Sequence, residues 1–247
     1  MAIFPRIIGH RGSPRSAPEN TLASFRRAAQ DGARWVEFDA ALTLDGRVVI
    51  FHDDELDRTS DGSGLLADAT FEQLAALDAG GWFAPEFKGE MIPTLEEALE
   101  LFANFNLGFN MELKTDKGRE VDLAAAALPI VLDSWPSSLP TPLISSFSRR
   151  ALAAAKDIAP QWPRGFLFDR LPEDWREAAK LLGAATLNAN HKHLTRDQVM
   201  EIRGLGYGVM AYTVNEPARA ETLFAWGVEA VFTDIPGEMI AAFAKLT

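Results

Sequence analysis

Short apolar runs, many of them β-branched, recur along the chain at 6–9, 35–39, 108–114, 142–147, 164–169, 185–190, 208–213 and 230–234. They are nearly continuous rather than alternating, the pattern of strands covered on both faces. Most of the gaps between them hold an amphipathic stretch with a helix-start signal: Asn20-Thr21 ahead of 22–30, Ser148 ahead of 149–158, and Thr195 ahead of 196–204. Eight strand–helix repeats predict an α/β fold, a closed (β/α)8 TIM barrel in preference to an open doubly wound sheet. The third repeat is interrupted, and 53–92 is predicted to be a small insertion after a strand 2 hairpin. It carries the turn sequence Asp61-Gly62-Ser63-Gly64, a short helical stretch at 70–76 and the pair Trp82-Phe83. Barrel sites lie at the C-terminal ends of the strands, so a segment leaving that end roofs the site. Trp82 and Phe83 then either wall the pocket or pack the insertion onto the barrel.

Composition narrows what such a barrel can do. With 247 residues, 47% of them hydrophobic, the chain is expected to form one domain over 1–247. It has no cysteine, so its chemistry must come from oxygen and imidazole groups. The formal charge of -11, without any run of Lys or Arg, argues against nucleic-acid binding and against stable membrane association. A small anion would have to be met by locally placed cations. The stretch 1–12 lacks the basic flank and cleavage site of a leader, and no segment is apolar for the roughly 18 residues that a span needs. A soluble cytoplasmic protein is expected.

On the barrel scheme, the polar residues that interrupt apolar strands fall at strand ends: His10 and Arg11 after the first, Glu37 and Asp39 on the second, Glu112 and Lys114 on the third. Side chains two apart on a strand share a face, so Glu37 with Asp39, and Glu112 with Lys114, project as pairs toward the barrel mouth. Asp45-Gly46 is a two-residue hairpin signal. Pairing Leu44 with Arg47 across it sets Asp39 opposite His52. Three carboxylates this close repel one another unless a cation neutralises them, and hard oxygen donors favour Mg²⁺ or Ca²⁺. His191-Lys192-His193 closes the sixth strand, where substrate contact and a solvated loop are equally consistent with the sequence. Asp61-Gly62-Ser63-Gly64 lacks the preceding strand and following Lys-Ser or Lys-Thr of a phosphate loop, and is read as a turn.

These residues sit in motifs that resemble the glycerophosphodiester phosphodiesterase family. They are Gly9-His10-Arg11-Gly12, Ala17-Pro18-Glu19-Asn20-Thr21, Glu37-Phe38-Asp39, Phe51-His52-Asp53-Asp54, Leu56-Asp57-Arg58-Thr59, Met111-Glu112-Leu113-Lys114, Tyr212-Thr213-Val214-Asn215 and the 227–234 stretch ending in Thr233-Asp234. The stretches 87–89 and 187–192 look most like the cytoplasmic bacterial members associated with glycerol-3-phosphate uptake. The resemblance implies a (β/α)8 barrel with a small insertion. His10 and His52 become the acid–base pair, Glu37, Asp39 and Glu112 the ligands of one divalent cation, and Arg11 and Lys114 phosphate contacts. The partner implied is a small glycerophosphodiester such as glycerophosphocholine or glycerophosphoethanolamine, cleaved to glycerol 3-phosphate and an alcohol. Proximity to Asp39 is expected to keep His52 charged more readily. Rival expectations are a lysophospholipase D on the same barrel, a non-catalytic barrel that binds glycerol phosphate, and a sugar-phosphate isomerase or lyase.

Overall fold

The computed structural model describes residues 4–114 and 118–244, so residues 1–3 of the N-terminal stretch lie outside it. Eight parallel strands close into a barrel: β1 (Ile7–His10), β2 (Trp35–Leu42), β4 (Gly108–Leu113), β5 (Leu143–Ser146), β6 (Arg164–Phe168), β7 (Thr186–Asn190), β8 (Gly208–Tyr212) and β9 (Ala230–Thr233). Closure comes from β1, which pairs in parallel with both β2 and β9. A ninth strand, β3 (Val48–Ile50), runs antiparallel to the far end of β2. Helices α1 (Leu22–Gln30), α3 (Leu95–Phe105), α4 (Glu120–Ser134), α5 (Arg149–Ile158), α6 (Trp175–Leu182), α7 (Arg196–Gly204), α8 (Pro217–Trp226) and α9 (Pro236–Phe243) follow the barrel strands, and the short α2 (Phe71–Leu74) lies between β3 and α3.

The predicted start signals form caps. Thr21, Ser148 and Thr195 each accept a backbone N–H of the first turn through the side chain. Strand residues alternate between two apolar layers. Val36, Phe38 and Ala40 point outward into the helix layer, where Phe25, Phe38, Phe102 and Phe109 stack at centroid distances of 5.0 to 6.3 Å. Trp35 packs with Ile8, Leu143, Met210, Ala230 and Phe232 in a separate buried cluster. Glu37 and Asp39 follow Trp35 on its face of β2, which places their carboxylates above that apolar floor.

The hairpin differs from the sequence expectation by one residue. Ala40 pairs with Ile50, Ala41 with Val49 and Leu42 with Val48, and the Phe51 N–H donates to the Asp39 carbonyl. Phe51, not His52, therefore stands opposite Asp39. The turn is longer than the two-residue type, because Thr43 and Arg47 close a loop of Leu44, Asp45 and Gly46 with Gly46 at φ 82°. Asp45 serves the insertion instead: its carboxylate accepts from the Thr43 hydroxyl at 2.6 Å and from the Phe71 N–H at 2.9 Å. Phe51 is buried with Ala41, Val49, Leu56 and Leu66. His52 reaches the mouth because the ladder has ended and the chain bends after it.

Trp82 and Phe83 line neither lobe of the pocket at the barrel mouth, and their contacts stay within the insertion. Their rings lie 5.7 Å apart, Phe83 meets Phe87, and the Trp82 indole N–H donates to the Ala79 carbonyl. Among the described residues no helix is long and apolar enough to cross a membrane.

Candidate active site

The loop after β1 is built to aim backbone and side chain at β2. Arg11 takes φ 53° and Gly12 φ 89°; a Cβ on Gly12 would meet the Ser24 hydroxyl at 2.4 Å, so only glycine lets this loop rest on α1. The Ser24 hydroxyl donates to the Arg11 carbonyl and accepts the Ser13 N–H, fixing the loop. The Arg11 N–H consequently donates to Glu37 Oε2 at 3.0 Å, and its guanidinium lies 3.2 Å from Asp39 and 2.7 Å from Glu19.

Glu37, Asp39 and Glu112 each place one oxygen within 4.8 Å of the others. Parallel register explains the convergence: Asp39 pairs with Glu112, and Glu37 with Asn110, across β2 and β4. Glu37 is 4% and Asp39 1% exposed. Burial, reinforced by repulsion from the neighbouring carboxylates, drives the Glu37 carboxyl well above its ordinary range and pushes Glu112 up to about 8. Asp39 suffers the same burial, yet Arg11, His52, Lys114 and the Asn20 amide outweigh it and hold its carboxyl low. Lys114 lies 3.7 Å from Glu112 and Arg11 is shared with Glu19, so the nearby cations do not neutralise the cluster. The Asn110 Oδ1 is buried without a partner while its amide N–H donates to Ser145. Crowded oxygen donors and a spare amide oxygen fit a hard divalent cation.

Both histidines are held through Nδ1. His10 Nδ1 lies 2.8 Å from Asp234 Oδ1, and the other Asp234 oxygen accepts from the Asn215 amide at 2.7 Å. His52 Nδ1 lies 2.5 Å from Asp53 Oδ1, while its Nε2 is 3.3 Å from Lys114 Nζ. Asp53 is held far below the carboxylate range, first by Arg58, so it accepts and Nδ1 of His52 carries the proton. The lone pair on Nε2 then faces the lysine ammonium. Burial lowers the His52 pKa, helped by Arg11 and Lys114, and Asp39 does not offset them. Asp39 does favour the charged ring, as expected, but burial together with Arg11 and Lys114 outweighs it.

Most of these groups meet in one pocket lined by His10, Arg11, Glu37, His52, Glu112 and Lys114, with Leu167, Tyr212 and Phe232 as its apolar wall. Asp39 lies just behind it. A second lobe, floored by Ala41, Leu66 and Leu113, shares His52, Glu112 and Lys114 with the first. His191 and His193 line neither lobe; His191 pairs with Arg219, and His193 lies 3.6 Å from Asp169.

Seven predicted site residues are thus brought together. The sequence offered no role for Asp234, Asn215, Asp53, Arg58, Glu19 or Asn110. All but Asn110 belong to the matching motifs, and Asn110 was visible as the residue two before Glu112 on one strand face.

The family model for glycerophosphoryl diester phosphodiesterases matches residues 10–238. A glycerophosphodiester phosphodiesterase of Caldanaerobacter subterraneus subsp. tengcongensis is 34% identical over 97% of this chain and 98% of its own. A phosphodiesterase of Oleispira antarctica, solved in complex with the product sn-glycerol-3-phosphate, is 41% identical and superposes with a TM-score of 0.95 over 97% of both chains. A glycerophosphodiester phosphodiesterase structure from Agrobacterium tumefaciens str. C58 shares 29% identity with a TM-score of 0.77 over 96% of this chain and 100% of that one. The family match and these relatives define a phosphoric diester hydrolase. The chain belongs to the glycerophosphoryl diester phosphodiesterase family, whose reaction is the hydrolysis of glycerophosphodiesters.

Proposed function

We propose that the whole chain acts as one catalytic unit that cleaves small glycerophosphodiesters, such as glycerophosphocholine or glycerophosphoethanolamine, to glycerol 3-phosphate and an alcohol, with His10 and His52 moving the protons. The observation that carries this reading is the matched pair of histidines, each tied through Nδ1 to a carboxylate and each lining the pocket that holds the three-carboxylate cluster. The product in the Oleispira antarctica complex is the glycerophosphate expected of the reaction.

Glu37, Asp39 and Glu112 would hold Mg²⁺ or Ca²⁺, which when bound supplies positive charge to the phosphate oxygens. Arg11 and Lys114 add fixed positive charge at the same wall, which an anionic protein needs in order to admit an anionic diester. Neutral His52, with its lone pair on Nε2, accepts the proton of the attacking hydroxyl or water. His10, oriented by Asp234, donates a proton to the departing alcohol oxygen. Substrate phosphate takes over the Lys114 ammonium and frees His52 Nε2.

A coupled assay of glycerol 3-phosphate release from glycerophosphocholine tests the assignment. His10→Ala and His52→Ala should each lower kcat by at least about 10²-fold, the usual worth of a positioned acid or base. Wild-type turnover in either variant rules out the proton-transfer scheme. Lysophosphatidylcholine run in parallel separates a phosphodiesterase of small diesters from a lysophospholipase D.

A further inference from the structure

Two ionised side chains beside the pocket, Arg58 and Glu19, have no part in the scheme above. Arg58, in the insertion, spreads its planar fork over two carboxylates. Nη1 and Nη2 donate to the two oxygens of Glu19 at 2.8 Å each, while Nη2 also donates to Asp53 Oδ1 at 2.9 Å and Nε donates to Asp53 Oδ2. Each carboxylate continues inward. Asp53 Oδ1 accepts from His52 Nδ1, and Glu19 Oε1 accepts from Arg11 Nη1. One guanidinium therefore stands behind both a pocket histidine and a pocket arginine.

The arrangement is costly to read as mere surface charge. Arg58 is half exposed, where an ordinary ion pair contributes little to stability, yet it satisfies both oxygens of both acids. An Asp adjacent to His52 in sequence can swing freely about its own side-chain bonds; held at both oxygens, it presents one fixed acceptor to the ring. Glu19 lies in the loop between β1 and α1, so the fork also fastens the start of the insertion to the barrel.

We infer that Arg58 is a positioning residue for His52: by gripping Asp53 against the Glu19 anchor, it fixes the ring so that Nε2 stays aimed into the pocket. This rests on the proposal that His52 moves a proton. The inserted segment thus contributes to the chemistry through its first turn, and not only as a cover.

The test is a double-mutant cycle read on kcat for glycerophosphocholine. Arg58→Ala alone should lower kcat between about 10- and 100-fold, the range for losing a partner that orients a site ligand, with KM within about twofold. In the His52→Ala background the same change should have no further effect, because the ring it positions is gone. Arg58→Lys should recover part of the loss, since a point charge cannot span both carboxylates. Equal fold-losses in both backgrounds, or an unaltered kcat in Arg58→Ala, would overturn the inference. A second readout does not depend on turnover. The low-field proton on His52 Nδ1, assigned by its absence from His52→Ala, should be seen by NMR in the wild type and in the surface control Arg47→Ala, and lost from Arg58→Ala. Its persistence unchanged in Arg58→Ala contradicts the positioning role even if the protein releases no glycerol 3-phosphate, an outcome that would sink the proposed function separately.

Discussion

His10 and Asp234 are 224 residues apart in the chain, and their side chains lie 2.8 Å from one another because β1 closes the barrel against β9. The contact fixes which imidazole nitrogen is free. Burial tends to raise the Asp234 carboxyl, but hydrogen bonds from His10 and Asn215 outweigh it and keep the group below the usual carboxylate range. Asp234→Asn keeps the shape and removes the charge, so kcat should fall between about 10- and 100-fold while the melting temperature changes little. Steady-state kinetics with a thermal melt checks this, and an undiminished kcat would show that His10 needs no such partner.

Cation binding should also be visible without substrate. The three carboxylates repel one another in the folded protein, so an ion that binds only the fold stabilises it by about 2.7 kcal/mol at a hundredfold excess over Kd. Mg²⁺ or Ca²⁺ should therefore raise the melting temperature of the wild type and not that of Glu37→Gln. A melting curve indifferent to both ions in the wild type would remove the metal from the scheme.

The strand repeats were legible because parallel strands covered on both faces read as apolar runs, and the three acids because a carboxylate at such a strand end has few other uses. The register of the hairpin was not. Asp45-Gly46 signals a two-residue turn, but the Asp45 carboxylate is engaged by Thr43 and Phe71, and the third loop residue shifts the ladder by one. His52 was placed at the mouth for the wrong reason, since it arrives by the bend after β3. Asp234 lay in a matching motif, but its partnership with His10 exists only once the barrel closes.

The acid side of the stability profile should report the Arg58 fork. Arg58 holds the Asp53 carboxyl low against burial, and it joins Arg11 in holding Glu19 low although burial there pulls the other way. Carboxyls depressed in the fold contribute stability that is complete above their unfolded values, about 3.9 for Asp and 4.3 for Glu, and that is lost as pH falls toward the folded ones. Urea midpoints measured from pH 5 to pH 2 should fall more steeply for the wild type than for Arg58→Met. Parallel curves would mean that the fork carries no linked protons.

Arg164 makes a contrasting prediction at the other end of the barrel. It is 7% exposed, opens β6, and donates to the carbonyls of Trp162, Leu182 and Gly183, the last two at the end of α6. Arg164→Met strands those acceptors and should destabilise the protein by about 2 to 4 kcal/mol without changing KM. Urea unfolding alongside the activity assay decides it; a variant as stable as the wild type would show the carbonyls satisfied some other way.

In the proposed reaction two carboxylate-held histidines act on a diester beside a cation held by Glu37, Asp39 and Glu112. Glycerol 3-phosphate release from glycerophosphocholine, followed before chelation, after it, and after Mg²⁺ or Ca²⁺ is returned, tests this most directly. Activity should disappear with the chelator and come back with the ion in the wild type, and stay at least about 10²-fold lower in His52→Ala under every condition. Full turnover by the chelated enzyme, or by His52→Ala, would contradict it.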